Sequence, residues 1–178
     1  NLGAATNAAA NLVLSGGTLQ YTGATASTDR NYTLTAATTS SIDVSNAANT
    51  LTISGASTNT TGALTKTGAG TLILSGANLH TGLTTVSNGT LSYGAANALS
   101  SGAVTVNGGT LNMATFSDTV GTVTLTSGSI TGTSGVLTGT SYVLNGAGST
   151  SVSAILGGAV TLAKSAAGTA TLSGENTY

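Results

Sequence analysis

The sequence predicts an all-β chain wound as a single-stranded parallel β-helix, a solenoid of about nine turns of about 20 residues. Three observations carry that expectation. Leu64 to His80, LTKTGAGTLILSGANLH, returns at a shift of 98 as Leu162 to Tyr178, LAKSAAGTATLSGENTY, with 9 of the 17 paired positions identical. Inside it, Gly70-Thr71-Leu72 recurs as Gly89-Thr90-Leu91 and Gly109-Thr110-Leu111, then as Gly128-Ser129-Ile130, Gly148-Ser149-Thr150 and Gly168-Thr169-Ala170. The glycines advance by 19, 20, 19, 20 and 20, which together span the 98. Charged residues make up 4% of the chain, where soluble domains usually carry about 25%. In a parallel stack like residues fall on like residues, so a charge in the repeat would face its own copy at every turn.

Composition closes off most alternatives. The 178 residues suffice for one ordinary domain or one solenoid segment, and no composition shift or linker divides them, so residues 1–178 read as a single unit. There is no Pro, Cys or Trp, Met113 and Phe116 stand alone in their types, and Gly counts 26. The net charge of −1 supplies no field to draw in nucleic acid or an anionic membrane. A mean hydropathy of +0.31 at such low charge is not that of a disordered tail. The lack of cysteine excludes disulfides and thiolate metal sites, and suits a protein that stays unfolded during export. No run of 18 apolar residues offers a membrane-spanning helix. The chain begins at Asn1 and reaches Tyr178 inside the second copy of the motif, so it reads as an excerpt of a longer repeat protein.

Thr, Val, Ile and Gly dominate, and apolar residues alternate with small polar ones, the period of a half-buried strand. Residues 1–63 hold less regular turns, with Gly16-Gly17-Thr18-Leu19 aligned on the later Gly-Gly-Thr-Leu, Leu14 on Val86, Val106 and Leu125, and further starts near Asn31 and Asn49. Residues 64–163 form the five-turn repeat and 162–178 begin the next. Each turn is expected to supply two short strands: Thr71 to Ser75, a corner from Gly76 to Gly82, Leu83 to Val86, then a bend at Ser87-Asn88-Gly89. Stacked on the glycines, one inward column reads Leu72, Leu91, Leu111, Ile130, Thr150, Ala170, and the next Leu74, Tyr93, Met113, Gly132, Val152, Leu172, with Tyr21 beside Tyr93. The outward neighbours Thr71, Thr90, Thr110, Ser129, Ser149 and Thr169 form a hydroxyl ladder flanked by Ile73, Ser92, Asn112, Thr131, Ser151 and Thr171.

Residues 64–91, with LTKTGAGTLILSGAN, His80-Thr81-Gly82-Leu83-Thr84-Thr85-Val86 and Asn88-Gly89-Thr90-Leu91, resemble the autotransporter-associated β-strand repeat, also called the passenger-associated transport repeat, of form LTKxGxGTLxLSGxNTYTGxTTVxxGTL. They depart from it at Leu79-His80, where the family has Thr-Tyr; the second copy restores Thr177-Tyr178 but has Ala166 and Ala170 for Gly and Leu. Asn11 to Leu34 resembles the segments between such motifs in very large bacterial surface proteins. The resemblance implies a right-handed parallel β-helix in a secreted passenger at the bacterial cell surface, acting as a stalk, fibre or adhesin scaffold. It transfers no catalytic residue.

Few side chains are capable of chemistry. Asp118 and Glu175 fall about three turns, some 14 Å, apart, too far for a carboxylate pair. Asp29 and Asp43 occupy adjacent turns with Arg30 beside them, and read as turn caps or a surface ion pair. His80 has no second ligand nearby and reads as a packed or solvated corner residue. Lys66 and Lys164 read as isolated surface charges. The glycine-rich stretches lack the lysine and helix of a phosphate loop, and no GGxGxD repeat offers calcium. The expectation is a structural, non-catalytic segment without cofactor or metal. Its partners are copies of itself, end to end or side by side, and surface glycans. A Thr/Ser ladder that binds ice or glycans is the alternative, and a polysaccharide lyase or hydrolase a more distant one.

Overall fold

A computed structural model describes residues 5–178. The start Asn1-Leu2-Gly3-Ala4, whose weak polarity suggests an uncapped solenoid end, lies outside the described residues. Every strand pairing among the described residues is parallel, and the only helix among them is the single 3-10 turn Ala9–Asn11. The chain is a β-solenoid with a three-sided cross-section.

Face one stacks Thr18–Tyr21, Thr39–Val44, Ala63–Thr67, Thr84–Val86, the first halves of Val104–Asn112 and Val123–Thr131, Tyr142–Leu144 and Leu162–Lys164. Face two stacks Ala26–Thr28, Thr50–Ile53, Thr71–Leu74, Thr90–Tyr93, the second halves of the same two long strands, Thr150–Val152 and Ala170–Leu172. Face three lies within the corner that the sequence leaves between two strands. It is mostly irregular, with short ladders Val13–Leu14 on Thr33–Leu34, and Asp118–Thr119 on Val136–Thr138 on Ile155–Gly157. Among the described residues, eight strands on each long face make eight turns, a rod about 40 Å long. The sequence suggests nine because the first turns are longer than the later ones. Thr18 pairs there with Ser41, and Ala26 with Leu51, so three turn-like starts fit into two turns.

The expected columns hold where the glycine steps hold. Leu72, Leu91, Leu111 and Ile130 lie in register on face two and are fully buried. Each such side chain contributes about 1.5–3 kcal/mol by leaving water. On face one the inward column runs Leu19, Ile42, Lys66, Val86, Val106, Leu125, Leu144, Lys164. Tight corners need glycine at particular places. At Gly128 φ is +88°, and a Cβ would stand 2.0 Å from the Gly109 carbonyl oxygen of the turn before.

Three expectations change. Ile130 pairs with Val152 rather than with Thr150, while the pairs on either side of it, Leu125 with Leu144 and Val136 with Ile155, keep the shorter step. The chain is therefore lengthened at one corner and shortened at the next, so Ala154 rather than Val152 packs on Gly132. Gly16-Gly17-Thr18-Leu19 enters face one, whereas Gly108-Gly109-Thr110-Leu111 enters face two, because the same glycine corner is used at two different vertices. Leu14 accordingly pairs with Leu34 on face three, and Tyr21 with Val44 on face one, away from Tyr93.

Candidate functional site

The outward ladder is the one surface array the sequence singles out. Thr71, Thr90, Thr110 and Ser129 stand in register, half-buried by their neighbours, and Thr110 Oγ1 and Ser129 Oγ share a hydrogen bond of 3.0 Å. Thr50 precedes them. After Ser129 the row continues through Ser151 and Thr171; Ser149 and Thr169 lie exposed on the corner before their strands. The flanking row is cross-linked, with Asn112 Nδ2 donating to Ser92 Oγ at 3.2 Å and Thr131 Oγ1 donating to Asn112 Oδ1 at 3.3 Å. Face one carries a second row that sequence reasoning missed: Thr18, Ser41, Thr65, Thr85, Thr105 and Thr124, ended by Val143 and Ala163. Its signal is present in the sequence, since each of Thr65, Thr85, Thr105 and Thr124 immediately precedes an inward residue.

Of the eight ionisable groups other than tyrosine, Arg30, Lys66, His80 and Asp118 are buried. Lys66 is fully buried, which overturns its reading as a surface charge. It sits in the face-one column between Ile42 and Val86, and its Nζ reaches the corner to donate to the carbonyl oxygens of Thr67 at 2.5 Å, Gly68 at 2.8 Å and Asn88 of the next turn at 3.3 Å. Burial lowers its pKa to about 8, against a smaller opposing pull from Asp43. Its counterpart Lys164 is exposed and donates to the Ala166 carbonyl.

His80 is packed, not solvated. Ser57 Oγ accepts the backbone N–H groups of Leu79 at 3.0 Å and His80 at 3.2 Å, and lies 2.9 Å from His80 Nδ1. With both acceptor positions used, the hydroxyl proton goes to Nδ1, which leaves Nε2–H to donate to Thr84 Oγ1 at 3.1 Å. Burial pushes the imidazole down to about 4, so it is neutral at ordinary pH. A serine beside a histidine suggests a nucleophile and base, but here both are buried and the oxygen is fully occupied.

Asn78 binds three turns together: Oδ1 accepts the Ser57 N–H at 2.8 Å, and Nδ2 donates to Gly76 at 3.2 Å and Ala98 at 2.7 Å. Asn176, its copy in the second motif, accepts the Leu156 N–H at 2.8 Å. Asp118 does the same work with a carboxylate, accepting Leu99 N–H at 2.9 Å and Thr119 N–H at 2.7 Å. Burial raises its pKa against the pull of those two amides, and its charge helps push the buried Tyr93 hydroxyl upward, after burial itself.

The remaining carboxylates are not brought together. Asp43 stacks between Gln20 and Thr67 on face one, while Asp29 follows the face-two strand Ala26–Thr28, so the two do not share a face. Arg30 is buried and its guanidinium donates to the Thr6 carbonyl. Among the described residues, no three His, Cys, Asp or Glu side chains converge to hold a metal ion.

Compared with known proteins, residues 64–92, 94–113 and 162–178 match the family described as Passenger-associated-transport-repeat. The first and last segments are the two copies of the long motif, and the middle one carries the Val104, Val106 and Leu111 that stack on the first. Neither the curated proteins nor the solved structures yield a match.

Proposed function

We infer that this chain, which carries the passenger-associated-transport-repeat three times, works as a non-catalytic structural element of an autotransporter-type passenger. In this reading it is an extended stalk or adhesin scaffold of a secreted bacterial surface protein, and its activity is its length. One observation carries the reading: the motif residues are engaged between turns. Lys66 and Asn78 bond to neighbouring turns, Gly70 leaves no room beside the Asn46 carbonyl, and Leu72 and Leu74 fill the stack. A motif whose residues are spent on joining turns is a motif for stacking. The nearly uncharged sides favour lateral contact between copies.

The test pairs shape with inertness. Small-angle scattering should return a rod about 40 Å long and about half as wide, and reducing-sugar release from a panel of polysaccharides should stay at background. Turnover abolished by His80→Gln or Asp118→Asn would overturn the reading.

A second reading rests on the seven hydroxyls in register from Thr50 to Thr171, which offer a glycan or ice a regular row. Glycan-array binding or thermal hysteresis that disappears in a Thr90→Val, Thr110→Val double variant would favour it over the purely structural one.

A further inference from the structure

We propose that Asn88-Gly89 is a self-modifying site: the corner converts Asn88 to aspartate or isoaspartate by deamidation, and the buried Lys66 ammonium promotes the step. The chemistry does not depend on whether the chain serves as a scaffold.

Asparagine is followed by glycine at Asn88-Gly89, Asn107-Gly108 and Asn145-Gly146. In such a pair the glycine nitrogen can attack the carboxamide carbon Cγ, since no side chain on the glycine obstructs the approach. Of the three, the first is folded for it. Gly89 N–H donates to Asn88 Oδ1 at 2.8 Å, which sets the nitrogen against the Cγ that carries that oxygen. Gly89 lies outside the strands and, among the described residues, gives its N–H to no backbone carbonyl. Asn88 is exposed, so water can enter and ammonia can leave. The other two carboxamides are turned away. Asn107 Oδ1 accepts Thr126 Oγ1 at 2.9 Å and Ser127 Oγ at 3.3 Å, both in the next turn, and Asn145 Oδ1 is buried without a partner. The corner also requires its glycine: φ at Gly89 is +59°, and a Cβ there would run into the Gly70 carbonyl oxygen.

Lys66 supplies what a bare Asn-Gly pair lacks. Its Nζ donates to the Asn88 backbone carbonyl oxygen at 3.3 Å, and that carbonyl is conjugated to the Gly89 nitrogen. When the Gly89 amide loses its proton to hydroxide, the negative charge spreads from nitrogen to that oxygen, where the ammonium is already placed. The nitrogen then bonds to Cγ, and the tetrahedral carbon expels Nδ2, which takes up one proton and leaves as ammonia. The product is a five-membered succinimide. Water adds to one of its two ring carbonyls. Addition at Cγ breaks the new N–Cγ bond and gives aspartate; addition at the Asn88 carbonyl carbon breaks the peptide C–N bond and gives isoaspartate. One water is consumed and one ammonia released, with no change of oxidation state. Either product sets a carboxylate at the corner that holds Lys66, in a chain of which only 4% is charged.

The experiment incubates the folded chain at pH 7 and at pH 10 and follows each Asn-Gly pair by peptide mass spectrometry. At pH 7 Asn88 should react about tenfold faster than Asn107 and Asn145, and in denaturant the three rates should converge. Lys66→Met should slow Asn88 about tenfold at pH 7 and leave Asn107 unchanged. Burial lowers the lysine's pKa to about 8, so its ammonium is present at pH 7 and lost at pH 10. Asp43 acts on it from the strand Thr39–Val44 and opposes that shift, while Thr84–Val86 on the other side and the corners 67–70 and 87–89 carry no charged side chain. All three rates rise with hydroxide, so the lead of Asn88 over Asn107 should shrink by pH 10, where the parent and Lys66→Met should agree. Equal rates in the folded chain, or the same lead kept in denaturant, would overturn the site. A lead undiminished in Lys66→Met or at pH 10 would overturn the part given to Lys66. Neither result touches the rod shape or the inertness on which the scaffold reading stands.

Discussion

Lys66 and Asn88 join two turns of the stack: the buried ammonium donates to the Asn88 carbonyl oxygen at 3.3 Å, from a column that is Leu, Ile and Val from Leu19 to Leu144 apart from this lysine. Among the described residues the lysine is the only charged member of that column enclosed on both sides, since Lys164 stands at its open end. Three carbonyl oxygens take up its N–H donors, and desolvation still lowers its pKa to about 8 from 10.5. Between those values the unfolded chain binds the proton that the folded chain has released, so this group adds stability as pH increases from about 8 to 10.5. The buried Tyr32, Tyr93 and Tyr142, whose pKa values are raised, act with the opposite sign toward the top of that range, so the lysine's share is read as the difference between the parent and Lys66→Met. The gain should be on the order of 2 kcal/mol, and Lys66→Met should abolish it. Denaturant unfolding at pH 7, 9 and 10.5 checks this, and a Lys66→Met variant with the same slope as the parent would show that the ammonium is not the source.

His80 gives the opposite end of the pH scale. Its pKa is lowered from 6.5 to about 4, so below pH 6.5 the unfolded state takes up a proton that the folded state refuses. Stability is full above about 6.5 and falls as pH drops toward 4, by about 3 kcal/mol from this group. The buried Asp118, whose pKa is raised, contributes a slope of opposite sign, so the histidine's share is read as the difference between the parent and His80→Gln.

Ser57 can be tested beside it. Ser57→Ala leaves the Leu79 and His80 amides and the imidazole Nδ1 without the oxygen they share, at a cost of about 1–3 kcal/mol. A loss below about 0.5 kcal/mol would mean that water replaces the hydroxyl.

The period, the parallel stacking, the Leu72 to Ile130 column and the repeat motif are legible because each depends on spacing alone. What the sequence does not show depends on which vertex a corner occupies. Gly128 and Gly148 are equivalent in spacing, yet Ile130 pairs with Val152 rather than Thr150, because chain added near Gly146 and Gly148 is taken back before Ile155. Thr150 is the cost of that slip: its hydroxyl is buried without a partner among the described residues. Lys66 misleads for a different reason. A lysine among threonines looks like a surface residue until the alternation with Leu64 is followed, which puts both on the inward side. The Ser57–His80 pair is out of reach because its members lie far apart in the chain and meet only through the longer early turns.

The two glycines make that slip measurable. Gly128→Ala adds a Cβ 2.0 Å from the Gly109 carbonyl at a φ of +88°, so the corner must move and the loss should exceed about 2 kcal/mol. Gly148→Ala meets nothing within 4 Å and has no positive φ, so it should fall within about 0.5 kcal/mol of the parent. Equal effects in thermal unfolding would place both glycines in the same kind of corner and restore the uniform period.

Leu111 tests the stack as a whole. It is fully buried between Leu91 below and Ile130 above, and it lies in a strand that runs through both long faces. Leu111→Ala removes apolar contact with both neighbours and should cost about 2–5 kcal/mol. Leu111→Asp places a carboxylate among the leucines and isoleucine of that column, with no cation among them, and should cost several kcal/mol more. A solenoid transmits such damage mainly to adjacent turns. Hydrogen exchange should therefore accelerate in Thr90–Tyr93 and Val123–Thr131 while Thr33–Leu34 keeps its protection. Uniform loss of protection along the rod would show that the turns unfold as one unit, and an unchanged melting temperature would show that Leu111 does not face the core.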